Sequence, residues 1–126
     1  MLDKTGTTRV VLADDHAIIR QCLKRLFDRV PEIEVVGEAS DGLEALFFVK
    51  ALAPDVLLLD IEMPVMDGIE VVRRLREAKT TVRILVLSAY DDRECIRALL
   101  ETGVSGYLVK GDAPGKIVEA VRGIAM

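Results

Sequence analysis

The sequence predicts a doubly wound α/β fold of the (βα)5 type, with a five-stranded parallel sheet covered by helices on both faces. Short apolar runs and helical patterns alternate five times along 126 residues. The links between them are short, as βαβ units require. The run Val56–Leu59 is apolar at every position, which suits a strand buried on both faces.

In chain order, Val10–Ala13 is the first strand, and Asp14-Asp15 ends it. A helix from about Ala17 to Arg29 follows. Ile18, Cys22, Leu23, Leu26, Phe27 and Val30 form its buried stripe, and Pro31 stops it. Glu34–Ala39 is a more polar strand that belongs near an edge. Ser40 and Asp41 are N-caps for a helix that carries Leu43, Leu46, Phe47 and Val49 and runs to about Leu52. Ala53-Pro54-Asp55 breaks that helix, and the central strand Val56–Asp60 comes next. After the turn residues Pro64 and Asp67-Gly68, a third helix carries Ile69, Val72 and Leu75, with Arg73, Arg74, Arg76 and Glu77 outward. Val82–Leu87 is the fourth strand and ends at Ser88. Asp91 or Asp92 caps a helix with Ile96, Leu99 and Leu100 inward, and Gly103 suits its left-handed end. Gly106–Val109 is the fifth strand and ends at Lys110. Pro114 opens the last helix, with Ile117, Val121 and Ile124 on its inner face.

The length suits one domain, with residues 1–8 as a flexible leader and 9–126 as the folded unit. Seventeen basic against 21 acidic side chains give a net charge of −4, which argues against gripping a phosphate backbone. No apolar run reaches the ~20 residues of a membrane span. The N-terminus lacks a signal peptide's apolar core, so a cytoplasmic location is expected. Cys22 and Cys95 lie far apart in helical patterns and read as reduced core thiols.

Strands of a parallel sheet point one way, so the residues that end them emerge at one edge, where open α/β sheets bind ligands. That edge collects Asp14, Asp15, Asp60, Ser88 and Lys110. Each has a structural explanation of its own, as a helix cap or a solvated loop residue. Together they put three carboxylates, a hydroxyl and an ammonium around one crevice. Clustered carboxylates raise one another's pKa unless a cation sits among them. Mg²⁺ takes oxygen ligands, and Asp14, Asp15 and Asp60 suit it. With the metal bound, Asp60 becomes a nucleophile toward phosphorus, giving an aspartyl phosphate. Lys110 and Ser88 would serve two further phosphoryl oxygens.

These residues, with Met63-Pro64-x-Met-Asp67-Gly68 after Asp60, Ser88-Ala89 and Gly106-Tyr107-x-x-Lys110, resemble the receiver domain of two-component response regulators. The resemblance covers about residues 9–124. It implies the flavodoxin-like strand order 2-1-3-4-5 and phosphorylation of Asp60 by a sensor histidine kinase. It also implies Mg²⁺ held by Asp14, Asp15, Asp60 and the backbone carbonyl of Glu62. Ser88 and Tyr107 would be the switch pair, and two copies would associate on phosphorylation. Tyr90 and Glu62 would tune hydrolysis of the acyl phosphate. Ala13-Asp14-Asp15-His16, Ser88-Ala89-Tyr90 and the absence of proline after Lys110 are most like the NarL/FixJ branch with LuxR-type helix-turn-helix output. In that branch DNA is contacted through an output domain, and none is expected within this chain.

His16 reads as a rim residue at the start of the first helix rather than a phosphoryl carrier or metal ligand. Gly111 departs from the proline common in receivers. A cis bond before a non-proline residue costs about 3–4 kcal/mol, so Lys110–Gly111 is expected to be trans. Two alternatives stay open: a phosphatase with Asp60 as nucleophile, and an interaction module that is not phosphorylated. Neither a P-loop nor a dinucleotide fingerprint follows the first strand.

Overall fold

The computed structural model describes residues 6–89, 93–112 and 114–125, with the backbone alone for Cys95. Ten elements alternate strictly: β1 (Thr8–Ala13), α1 (Ala17–Asp28), β2 (Ile33–Ala39), α2 (Gly42–Leu52), β3 (Val56–Asp60), α3 (Gly68–Glu77), β4 (Arg83–Ser88), α4 (Arg93–Glu101), β5 (Gly106–Val109) and α5 (Pro114–Ala125). The strands form one parallel sheet in the order β2-β1-β3-β4-β5. β2 lies at an edge, as its polar character predicts. β1 starts at Thr8, in the expected leader, where its amide donates to the Glu32 carbonyl at 2.7 Å.

The period-two geometry of the strands divides the core. Val11, Ala13, Leu57, Leu59, Ile84 and Val86 pack with α2, α3 and α4 on one face. Val10, Leu12, Val56, Leu58, Leu85 and Leu87 pack with α1 and α5 on the other. β3 is buried throughout and is the wall shared by both cores.

Asp41 caps α2 by accepting from the Glu44 amide at 2.9 Å, and the Glu44 carboxylate accepts from the Ser40 amide and hydroxyl. Asp67 caps α3 in the same way, through the Glu70 amide. Gly103 has a left-handed φ of 94° after α4, as expected. No cis peptide bond occurs among the described residues, so Lys110–Gly111 is trans. The expected cap at Asp91 or Asp92 lies outside the described residues.

Several apolar side chains stand where the sequence pattern does not put them. Ile18 is 74 % exposed and Phe47 is 65 % exposed, and Leu43, Ile69 and Leu100 are exposed as well. Cys22 is an exposed free thiol rather than a core one. Arg76, expected to face outward, is half-buried and donates to the Val82 and Gly103 carbonyls. Among the described residues, no helix is long and apolar enough to cross a membrane.

Candidate functional site

β1 and β3 are neighbours in parallel register, with Ala13 opposite Leu59, so Asp14 and Asp60 leave the sheet side by side. Both are only 3 % exposed. Ser88, equally buried, ends β4 on the other side of β3. Lys110 follows β5, and its amide donates to the Ser88 carbonyl at 2.7 Å, tying the β5 exit to the β4 exit. The edge thus brings together Asp14, Asp60 and Lys110 as expected: Lys110 Nζ is 3.1 Å from Asp60 Oδ2 and 3.2 Å from Asp14 Oδ2. Asp15 is exposed at the rim, beside His16.

Local hydrogen bonds hold the carboxylates in place. The Glu62 amide donates to Asp60 Oδ1 at 3.1 Å, which folds the chain back just beyond β3. The Gly68 amide then donates to the Ile61 carbonyl at 2.8 Å and closes the β3–α3 loop. A Cβ on Gly68 would lie 2.7 Å from Ile61 Cα and 2.8 Å from the Asp60 carbonyl oxygen, so only glycine lets α3 start this close to the site. Within the loop, the Met66 amide donates to the Pro64 carbonyl at 2.7 Å across Val65, whose φ is 70°. That is a three-residue γ-turn of the strained hand.

Burial pushes the Asp60 carboxyl up to about 6, with Asp14 adding to the rise, while the Glu62 amide and Lys110 pull it down. The cause that dominates is therefore desolvation rather than the carboxylate repulsion foreseen from sequence. For Lys110, burial favours loss of the proton, but Asp60 and Asp14 outweigh it and raise the ammonium above its ordinary range. Asp14 Oδ2 is buried, and among the described residues its neighbour is the Lys110 ammonium at 3.2 Å. One ligand atom each from Asp14, Asp15, His16 and Asp60 lies within 4.8 Å of all the others, so the cluster could hold a metal ion.

His16 stands at the rim at the start of α1, as expected, but its contacts, like those of Arg20 and Asp112, were not legible in the sequence. The His16 ring Nδ1 lies 3.1 Å from both Asp14 Oδ1 and Asp15 Oδ1. Arg20 donates from Nη1 to the Asp14 carbonyl at 2.6 Å and reaches Glu38 at 3.5 Å, bracing the β1–α1 turn against β2. Asp112 accepts from the Val109 amide at 3.0 Å, and its own amide donates to the Val109 carbonyl at 2.9 Å. Those two bonds close the loop around Lys110-Gly111, where proline is absent. Tyr107 is half-buried against the core on the α2–α4 side of the sheet. Tyr90 lies outside the described residues.

A family model described as the response regulator receiver domain matches residues 10–122. The chain is 40 % identical over 117 residues to the transcriptional regulatory protein DegU of Brevibacillus brevis, covering 93 % of this chain and 50 % of DegU. It is 38 % identical over 113 residues to the nitrate/nitrite response regulator protein NarL of Escherichia coli K12, covering 90 % of this chain and 52 % of NarL. It thus spans about half the length of these curated relatives. Among solved structures, the signal receiver domain of the putative response regulator NarL from Mycobacterium tuberculosis superposes with a TM-score of 0.91 at 39 % identity, covering 94 % of this chain and 96 % of that one. The fold, the acidic edge and these matches lead to one conclusion: the chain belongs to the response regulator receiver family.

Proposed function

We propose that Asp60 accepts a phosphoryl group from a sensor histidine kinase and that the resulting charge switches how this domain associates. The observation that carries the reading is the joining of Asp60, Asp14 and Lys110 at one buried sheet edge, with a cation 3.1 Å from the nucleophile. An Asp60 oxygen forms a bond to phosphorus as the donor's phosphorus–nitrogen bond breaks. Lys110 sits where its ammonium would meet a second phosphoryl oxygen, and Ser88 would give its hydroxyl to a third.

Asp14, Asp15, Asp60 and the Glu62 backbone carbonyl would hold Mg²⁺. Ligand oxygens of Asp14, Asp15 and Asp60 lie within 4.8 Å of one another, and the all-oxygen character of that set fits a hard dication. When bound, the ion offsets the negative charge that builds on the transferred oxygens. The remaining work is positional. The Glu62 amide fixes one Asp60 oxygen, and Lys110 holds the other. Ser88 would then move toward the phosphoryl group and Tyr107 would turn inward, reshaping the α4–β5 face on which a second copy docks.

Relatives of twice this length are named transcriptional regulators, which supports gene control as the output, with DNA contacted outside the receiver. The domain acts as a cytoplasmic phosphoacceptor without turnover of an external substrate.

Intact mass after incubation with acetyl phosphate and Mg²⁺ tests this. One labile phosphoryl group is expected on the wild type, and none without metal or in Asp60→Asn. An adduct that persists in Asp60→Asn overturns the assignment, and sustained release of phosphate from organic phosphates favours a phosphatase.

A further inference from the structure

α1 and α5 cover the same face of the sheet, yet a cavity of about 480 Å³ opens between them. Its floor is Leu23, Leu87 and Ile117, all buried, and Ile19 and Leu26 extend the apolar wall. Arg25 and Arg29 stand on the rim, four residues apart and so on one side of α1. Among the described residues neither guanidinium has a hydrogen bond or an ion pair. Arg20, Arg76 and Arg122, by contrast, are each held by a carbonyl or a carboxylate. The other end of the cavity is lined by Lys110 and Asp112, whose charges are already engaged. Lys110 meets Asp60 and Asp14, and Asp112 meets Lys116 and the Val109 amide. The free charge at this cavity is therefore positive and gathered at one end. α1 starts beside the acidic edge and runs away from it, so Arg29 lies about 15 Å beyond Ile19 along the helix.

We propose that this cavity binds a small amphipathic carboxylate, with its apolar body on Leu23, Leu87 and Ile117 and its head on Arg25 and Arg29. The volume falls in the roughly 300–1,000 Å³ of small-molecule sites, and an apolar floor with a few polar groups at one end is how such sites fix a ligand's orientation. A guanidinium pairs with a carboxylate through two parallel hydrogen bonds. Asp112 repels the head from the opposite end, so the ligand lies in one direction. Its tail then meets the stem of Lys110, whose ammonium is 3.1 Å from Asp60, and Leu87, which precedes Ser88. The cavity is a second site that touches the acidic edge through Lys110 alone. Binding there holds whether or not Asp60 accepts a phosphoryl group.

Decanoate is the probe, titrated into the whole chain below the concentration at which it forms micelles. Calorimetry should show one site. Methyl NMR shifts should move at Ile19, Leu23 and Ile117 and stay still at Val72 and Leu75 on the far face. Decanol, which lacks the charge, and butyrate, which lacks the body, should each bind about tenfold or more weakly. The double variant Arg25→Gln, Arg29→Gln should lose a similar factor. Both side chains are exposed, so the fold is expected to persist, and unchanged far-face methyl shifts check it. Cys22, an exposed thiol on the cavity wall, supplies a second measurement. Its alkylation by iodoacetamide, read by peptide mass so that Cys95 is scored apart, should slow when decanoate is bound. No decanoate binding, equal binding by decanol or by the arginine variant, or shifts spread over both faces of the sheet, as a detergent gives, overturns the proposal. An unprotected Cys22 does so as well. Phosphorylation of Asp60 is measured apart, so loss of either result leaves the other standing.

Discussion

Asp60 is a carboxylate held where its charge is unfavourable. Its folded pKa of about 6 lies above the ordinary 3.8, so the native state keeps the proton that the unfolded chain gives up. Unfolding between those values releases a proton, and stability therefore falls as pH rises through that window and stays lower above it. A gap of about two units corresponds to on the order of 2–3 kcal/mol. Asp60→Asn removes the charge while keeping the shape. The metal-free variant is expected to exceed the wild type by about 1–2 kcal/mol in urea denaturation at pH 7.5, with the difference shrinking toward pH 4. Equal stability at both pH values would mean that Lys110 already compensates the buried charge in full.

Among the elements, the start of α3 is tightly constrained beside the site. Any side chain at Gly68 meets the backbone of Ile61 and the Asp60 carbonyl at under 3 Å. Gly68→Ala must push α3 away from the β3 exit, costing about 1–3 kcal/mol and weakening Mg²⁺ binding. Gly111 has nothing within 4 Å of a built Cβ and no positive φ, so Gly111→Ala should stay within about 0.5 kcal/mol. Chemical denaturation of the two variants side by side checks both. The strands and the residues at their ends were legible because parallel strands leave the sheet at one edge, whatever the helices do. Helix faces were less so. α2 is apolar almost throughout, so no period in its sequence distinguishes exposed Phe47 from buried Leu46. The His16 bridge and the Arg20 brace depend on how the β1–α1 turn folds, and spacing does not encode that.

At the scale of the molecule, two cores share a single sheet, and the acidic edge sits at the carboxyl end of both. The β4 and β5 exits are tied by the bond from the Lys110 amide to the Ser88 carbonyl. In the proposed reading, a charge added at Asp60 would act on the two strands that carry Ser88 and Tyr107. Ligation or modification shifts a conformational balance only through contacts that differ between its states. Tyr107 is expected to supply such contacts, being half-buried on the outermost strand. Tyr107→Ala should still take up the phosphoryl group, by intact mass, but associate more weakly when phosphorylated, by sedimentation velocity. Association equal to the wild type would remove Tyr107 from the switch.

The γ-turn at Pro64–Met66 bears on all three scales. Val65 is β-branched, left-handed in φ and 73 % exposed, so no packing of its side chain rewards the conformation. Such a residue costs on the order of 1–3 kcal/mol, borne by the hydrogen bonds on either side of it. The loop behaves as a drawn bow whose string runs from Asp60 to Gly68. Val65→Gly slackens it: a melting temperature a few degrees higher is expected, with looser Mg²⁺ binding if Asp60 and the Glu62 carbonyl hold the ion as proposed. Robustness and readiness are then traded at one surface residue that touches neither metal nor phosphate.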